Sequence, residues 1–229
     1  MPDARQLTCP GCGATVHPGS RLCGHCQAEL ATVRCAQCFS LEMAGSKHCA
    51  QCAGLLGLEG IEGALGVACP RCADVDLIGV QVGDLSVGEG LRCTGLFINH
   101  RTFEQITRRA EARAGLRLRP LSTGPTAPER TAYLRCPRCA VHMNRLNFGE
   151  RSGIIIDVCT EHGVWFDRDE LARAVEFVDG GGLDRLRDRD RIAATLRRRV
   201  DLARTIDPST LPSYDMVGSF LASMLRSPR

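Results

Sequence analysis

Four C-x-x-C pairs in the first 52 residues, apolar alternation between the cysteines of the second half, and an aromatic content of only 4% predict a small metal-stabilised α+β fold. In such a fold short β-hairpins carry cysteine knuckles, and helices follow at the C-terminal end. With 14 cysteines, 24 glycines and 11 prolines among 229 residues, the chain is poorly supplied for one large apolar interior. Units too small to bury enough surface usually need a covalent or metal staple.

The first element is the strongest. Cys9-Pro10-Gly11-Cys12, Cys23-Gly24-His25-Cys26, Cys35-Ala36-Gln37-Cys38 and Cys49-Ala50-Gln51-Cys52 form two halves with identical inner gaps, and each cysteine of the first half recurs 26 positions later. This is a tandem repeat of a four-thiolate unit. A C-x-x-C turn puts two sulfurs on one edge of a tight knuckle, and two knuckles close a tetrahedron around Zn²⁺. Sequence leaves consecutive and interleaved pairing of the knuckles open. His17, His25 and His48 are not needed as ligands, because four sulfurs already complete each site. A redox C-x-x-C is disfavoured, since no strand-helix-strand unit surrounds these pairs. Residues 1–58 resemble the double zinc ribbon family, which implies two structural zincs.

Residues 131–180 carry the most detailed pattern. Cys136, Cys139, Cys159 and His162 make a set of three thiolates and one imidazole with structural spacing. Between them Leu146 and Phe148 read as one face of a strand, Gly149–Gly153 as a turn, and Ile154, Ile156 and Val158 as a return strand. A helix follows, with Asp167 as the expected N-cap, Glu170 as its capping-box partner, and Leu171, Ala174, Val175 and Val178 at helical spacing before Gly180–Gly182. Trp165, the only tryptophan, is expected to pack over the zinc site between hairpin and helix. With its C-P-x-C start, Met143-Asn144-Arg145 segment, S-G-x-x-x-D-x-C return strand and H-G-x-W-F-D exit, this stretch closely resembles the transcription-factor-IIB-type zinc finger family. The resemblance does not imply a role in eukaryote-like initiation.

Residues 66–114 resemble a damaged earlier copy. Cys69-Pro70-Arg71-Cys72 opens it, Ile78, Val80 and Val82 alternate before a Gly83-Asp84 turn, and Cys93 to Asn99 aligns with the exit of the complete copy. The family's third ligand position then falls on Gly90, leaving Cys69, Cys72 and Cys93. Three readings stay open: loss of metal, which the sequence favours; a fourth ligand from His100, Glu89 or a partner; or zinc with an open vertex. Three zincs are expected in the chain, and four if this site is filled.

Residues 115–130 read as a linker. The helix before it, starting near Phe103, has Ile106 and Ala110 on one face and a basic run at Arg108, Arg109, Arg113, Arg117 and Arg119. Residues 183–206 read as a charged helix with a sparse apolar stripe, and 207–229 as a tail with a short amphipathic helix. Net charge is only +3, with no segment of strong basic excess. Met1–Pro10 has no apolar h-region and no run reaches the length of a membrane span, so a reducing cytoplasm is the expected compartment. No nucleophile, phosphate loop or acid–base constellation is visible. The expectation is a non-catalytic zinc-binding scaffold or adaptor working through a protein partner, without membrane contact. Nucleic-acid binding in transcription is the alternative.

Overall fold

The computed structural model describes residues 7–16, 19–57, 59–72, 74–114, 133–150 and 152–205. The expected linker and the expected tail helix lie outside them, as does His17. Residues up to Leu183 form one compact unit, and a second begins at Asp184.

The N-terminal repeat folds as two small hairpin units. Strands β1 (Leu7–Thr8) and β2 (Thr15–Val16) pair across the first knuckle, and β3 (Thr32–Arg34) and β4 (Leu41–Met43) across the third. Their own apolar interiors are minimal. The first unit buries Cys9, Val16, Cys23 and Leu30 together, and the second buries its four cysteines with Leu56 packed alongside.

Seven antiparallel strands then make the main sheet. In chain order they are β5 (Glu59–Ala68), β6 (Asp76–Val82), β7 (Leu85–Gly90), β8 (Leu96–Asn99), β9 (Asn144–Asn147), β10 (Ile155–Cys159) and β11 (Gly163–Phe166). Helix α1 (His100–Arg113) leaves β8, and α2 (Glu170–Asp179) follows β11. Across the sheet the order is β5-β6-β7-β8-β11-β10-β9, so the last strands of the two cysteine-bearing hairpins meet at its centre. There Leu96 pairs with Phe166, Phe97 with Trp165, Ile98 with Val164 and Asn99 with Gly163. This register centres on Phe97 and Trp165, the residues that aligning the two exits makes equivalent. The two halves are therefore related by an approximate two-fold axis, with α1 packed on α2. Among the described residues β5 has no counterpart in the second half. Sequence gave no sign of it, because Gly60, Gly63 and Gly66 break its pattern and most of its residues are exposed.

The central pairing depends on one glycine. A Cβ at Gly163 would lie 2.2 Å from the Ile98 carbonyl oxygen, a backbone atom that cannot move without breaking the β8–β11 ladder. Gly163→Ala is expected to destabilise the zinc-loaded protein by about 1–3 kcal/mol, a typical overpacking cost. Thermal denaturation in zinc-replete buffer checks this.

One apolar core lies between the sheet and the two helices. Val80, Val82, Val87, Leu96, Ile98, Val164 and Phe166 from the strands meet Ile106 and Ala110 of α1 and Leu171, Ala174, Val175 and Val178 of α2. The alternation read in β6 and the helical spacing read in both helices thus face this core. Leu146, read on one face with Phe148, is 51% exposed on the edge strand β9, whereas Phe148 packs against the core.

The α2 cap also differs from expectation. The helix starts at Glu170, with Asp169 in the N-cap position and making no side-chain cap bond. Half of the expected capping box forms, the Asp167 amide donating to Glu170 Oε2 at 2.8 Å. The Asp167 carboxylate is engaged elsewhere, by Arg71 and by Trp165 Nε1. In α1, Asn99 is a full N-cap, accepting from the Thr102 amide at 2.9 Å.

The N-terminal repeat docks onto this body through a charged cluster and one aromatic ring. Glu89 of β7 is wholly buried and accepts from Arg21 Nε at 2.7 Å and Arg34 Nη2 at 2.7 Å, while Arg21 also reaches Glu59 of β5 at 2.5 Å. Arg21 precedes the second knuckle, and Arg34 sits beside the third. Phe39, in the turn after Cys38, buries its ring in the main core at 3% exposure.

The second unit contains most of α3 (Gly182–Thr205), a charged helix with Arg187–Asp184 and Arg191–Asp188 pairs one turn apart. Among the described residues no helix is long and apolar enough to cross a membrane.

Candidate metal centres

One backbone device is used six times among the described residues, though not at Cys69, whose amide donates to Val75 O six positions on. In each, the first residue donates its N–H to the carbonyl five positions on, and its own carbonyl accepts from the amide four positions on. That fourth residue must take a left-handed conformation: Gly13, Gln27, Phe39, Ala53 and Ala140 all have φ between 57° and 72°. The sixth instance starts at Gly90, where the Gly90 amide donates to Gly95 O at 2.9 Å, the Thr94 amide to Gly90 O at 2.7 Å, and Thr94 has φ 55°. Gly90 therefore occupies the place of a knuckle's first cysteine, as the alignment expected, with the fold retained and the sulfur gone. The turn also aims amides at sulfur, for example Gln37 N at 3.4 Å from Cys35 Sγ and Gln51 N at 3.3 Å from Cys49 Sγ.

Three sets of four donors converge: Cys9, Cys12, Cys23 and Cys26; Cys35, Cys38, Cys49 and Cys52; and Cys136, Cys139, Cys159 and His162. Knuckle pairing in the repeat is consecutive. A tetrahedron with metal–sulfur bonds of 2.3 Å has edges of about 3.8 Å. The sulfurs match: Cys9–Cys26 and Cys12–Cys23 are both 3.7 Å apart, Cys35–Cys52 3.6 Å, Cys38–Cys49 3.5 Å and Cys139–Cys159 3.9 Å. These separations are far longer than a disulfide, and all 14 cysteines are free. His162 offers Nδ1, 3.5 Å from Cys159 Sγ. His25 and His48 are exposed and in none of the sets.

Each set also contains a thiol primed to ionise. Amides of Cys26 and His25 pull Cys23 down to about 6. Cys159 reaches about 6 although burial opposes it, because His162 and the amides of Glu161 and His162 hydrogen-bond its sulfur. In the second set the Cys35 thiol lowers Cys52. Such thiolates are the form that grips a metal, and binding releases the remaining protons. Sequence reading missed the residues that support the second site. Ser40 Oγ lies 3.1 Å from both Cys38 and Cys49, and Glu42 accepts from the Ala50 amide at 2.9 Å. Their only signal is position beside the knuckles.

Cys69, Cys72 and Cys93 form a fourth, three-sulfur cluster, with Cys69 and Cys93 3.6 Å apart. Neither candidate for its fourth ligand is there. Glu89 is held by the two arginines, and His100 Nε2 bonds to the Cys159 carbonyl at 2.8 Å. A strand alternates its faces, so Glu89 cannot share Gly90's direction. Trp165 lies between this cluster and the Cys136 set, so it spans two centres where one was expected.

Three tetrahedral sulfur-rich centres on short hairpins, with helices attached, define a tandem zinc-ribbon protein, metal-stabilised and built to bind zinc. Residues 9–54 match the family model described as double zinc ribbon, and residues 135–176 match the one described as transcription factor zinc-finger. No curated protein and no solved structure matches the chain.

Proposed function

We propose that the chain is a non-catalytic scaffold whose zinc ribbons hold surfaces in place for a protein partner. The observation that carries this reading is that the protein itself supplies all four donors at three centres. A zinc so enclosed has no vertex for water or substrate, and its chemistry is to cross-link the chain.

Charge pairing favours this reading over nucleic-acid binding. On α1, Arg108 pairs with Glu104, Arg109 with Asp84 and Arg113 with Asp179, so the described part of the basic run is paired with carboxylates from the same unit. A phosphate-tracking surface needs free cations. The test is retention of the zinc-loaded chain on duplex DNA, single-stranded DNA and RNA at 50 and 200 mM salt. The expected result is no retention that falls steeply with salt. Tight, salt-sensitive binding would replace the scaffold reading with the nucleic-acid one.

A further inference from the structure

The three-sulfur cluster is a built site with one donor fewer than the three zinc centres. Its sulfurs are close enough to share one ion, all donor atoms lying within 4.8 Å of one another. What it lacks is a fourth donor, and the space for one is filled. A Cβ at Gly90 would lie 2.5 Å from Cys93 Sγ and 2.9 Å from Cys69 Sγ, so these sulfurs lean into the path of the missing side chain. Behind them the Trp165 ring stands 3.6 Å from the same point. Cys69 is 1% exposed, and Leu77, Phe97 and Val67 complete an apolar wall. A water in the fourth position would need polar partners that this wall does not offer. Among the described residues no carboxylate or imidazole joins the three sulfurs, and the two candidates the sequence offered, Glu89 and His100, are committed elsewhere.

Zinc in structural sites takes four ligands. Soft thiolates select ions such as monovalent copper, and a cuprous ion is satisfied by three of them in a plane. We propose that Cys69, Cys72 and Cys93 form a three-coordinate site for a cuprous ion, distinct in selectivity from the three zinc centres. No bond within the protein is made or broken, and the only exchange is of thiol protons for the ion. This inference is independent of the scaffold reading, because the site is internal and the scaffold surfaces are not part of it.

Two variants and one reporter test it. The holoprotein is titrated anaerobically with cuprous ion buffered by a competing chelator, following released zinc, bound copper and Trp165 fluorescence. The expected result is a zinc content of three per chain before titration and a first equivalent of copper bound without zinc release, with quenching of the indole. Cys72→Ser, at the half-exposed position of the cluster, is expected to abolish that first equivalent while leaving three zincs. Gly90→Cys supplies the missing sulfur on a backbone that already has knuckle geometry, and only two flexible sulfurs need to move aside. It is expected to raise zinc content to four and to make the first copper equivalent displace zinc. The proposal is overturned if the wild-type chain already holds four zincs, or if its first copper equivalent releases zinc or is unaffected by Cys72→Ser.

Discussion

Removal of zinc from the native protein is expected to unfold residues 7–57 while the sheet and its two helices keep part of their protection. Apparent free energies for structural zinc sites run to about 10–16 kcal/mol near neutral pH, comparable to or larger than the whole stability of a typical domain. The two N-terminal centres have nothing to replace that contribution, since their interiors consist mainly of the ligands themselves. The main core of β6, β7, β8, β10, β11, α1 and α2 gathers fifteen buried residues from these elements and does not depend on metal alone. Hydrogen exchange measured before and after chelation, with zinc counted by mass spectrometry, reads both halves. Undiminished protection across residues 7–57 in the apo-protein, or a native count of two or fewer zincs, would contradict the ligand sets.

Truncating the buried carboxylate, Glu89→Ala, is expected to have the next largest effect, about 3–5 kcal/mol. That is the usual cost of leaving a buried charge without its partner, and here two arginines, each 6% exposed, lose theirs. Arg21 keeps Glu59, so Arg34 is left the worse of the two. The destabilisation should appear as release of the N-terminal repeat, because Glu89 belongs to β7 and both arginines to the repeat. Proteolysis between residues 26 and 59, together with a lowered thermal midpoint, measures it. Replacing Glu89, Glu59 and both arginines together by apolar residues of similar size should recover much of the loss, since no buried charge is then left without its partner.

The same cluster has a defined pH signature. Burial by itself raises the Glu89 carboxyl, but the charges and hydrogen bonds of Arg34 and Arg21 outweigh it and hold it below the ordinary carboxylate range. A lowered folded-state value means the stabilisation is complete above the unfolded value of about 4.3 and fades as pH falls through the folded one. Docking of the repeat should therefore be insensitive to pH from neutrality down to about 5.

The candidate ligand clusters were legible because their information is local. A C-x-x-C turn and a Cys-x-x-His exit each lie within a few positions in the chain, and one backbone turn builds all four knuckles of the repeat. The core faces of β6, α1 and α2 were legible for the same reason, since period alone declares which side is apolar. The vacancy at Gly90 could be placed by aligning two exits, but not its consequence. Whether a neighbour replaces the lost sulfur depends on where Glu89 and His100 point. They turned out to be spent on partners 55 to 68 residues away and 59 residues away, respectively.

By itself, then, the sequence determined which cysteines and which histidine gather into clusters that could hold a metal and, β5 apart, which stretches form hairpin or helix. Only the tertiary structure decided that the repeat is fastened to the sheet by Arg21, Arg34 and Phe39, that two finger-like halves join edge to edge at Phe97 and Trp165, and that the tryptophan lies between two centres. The physical reason is range. Coordination and periodicity are written in neighbouring residues, whereas a buried ion cluster or a strand pairing is a choice among distant parts of the chain that become neighbours only after folding.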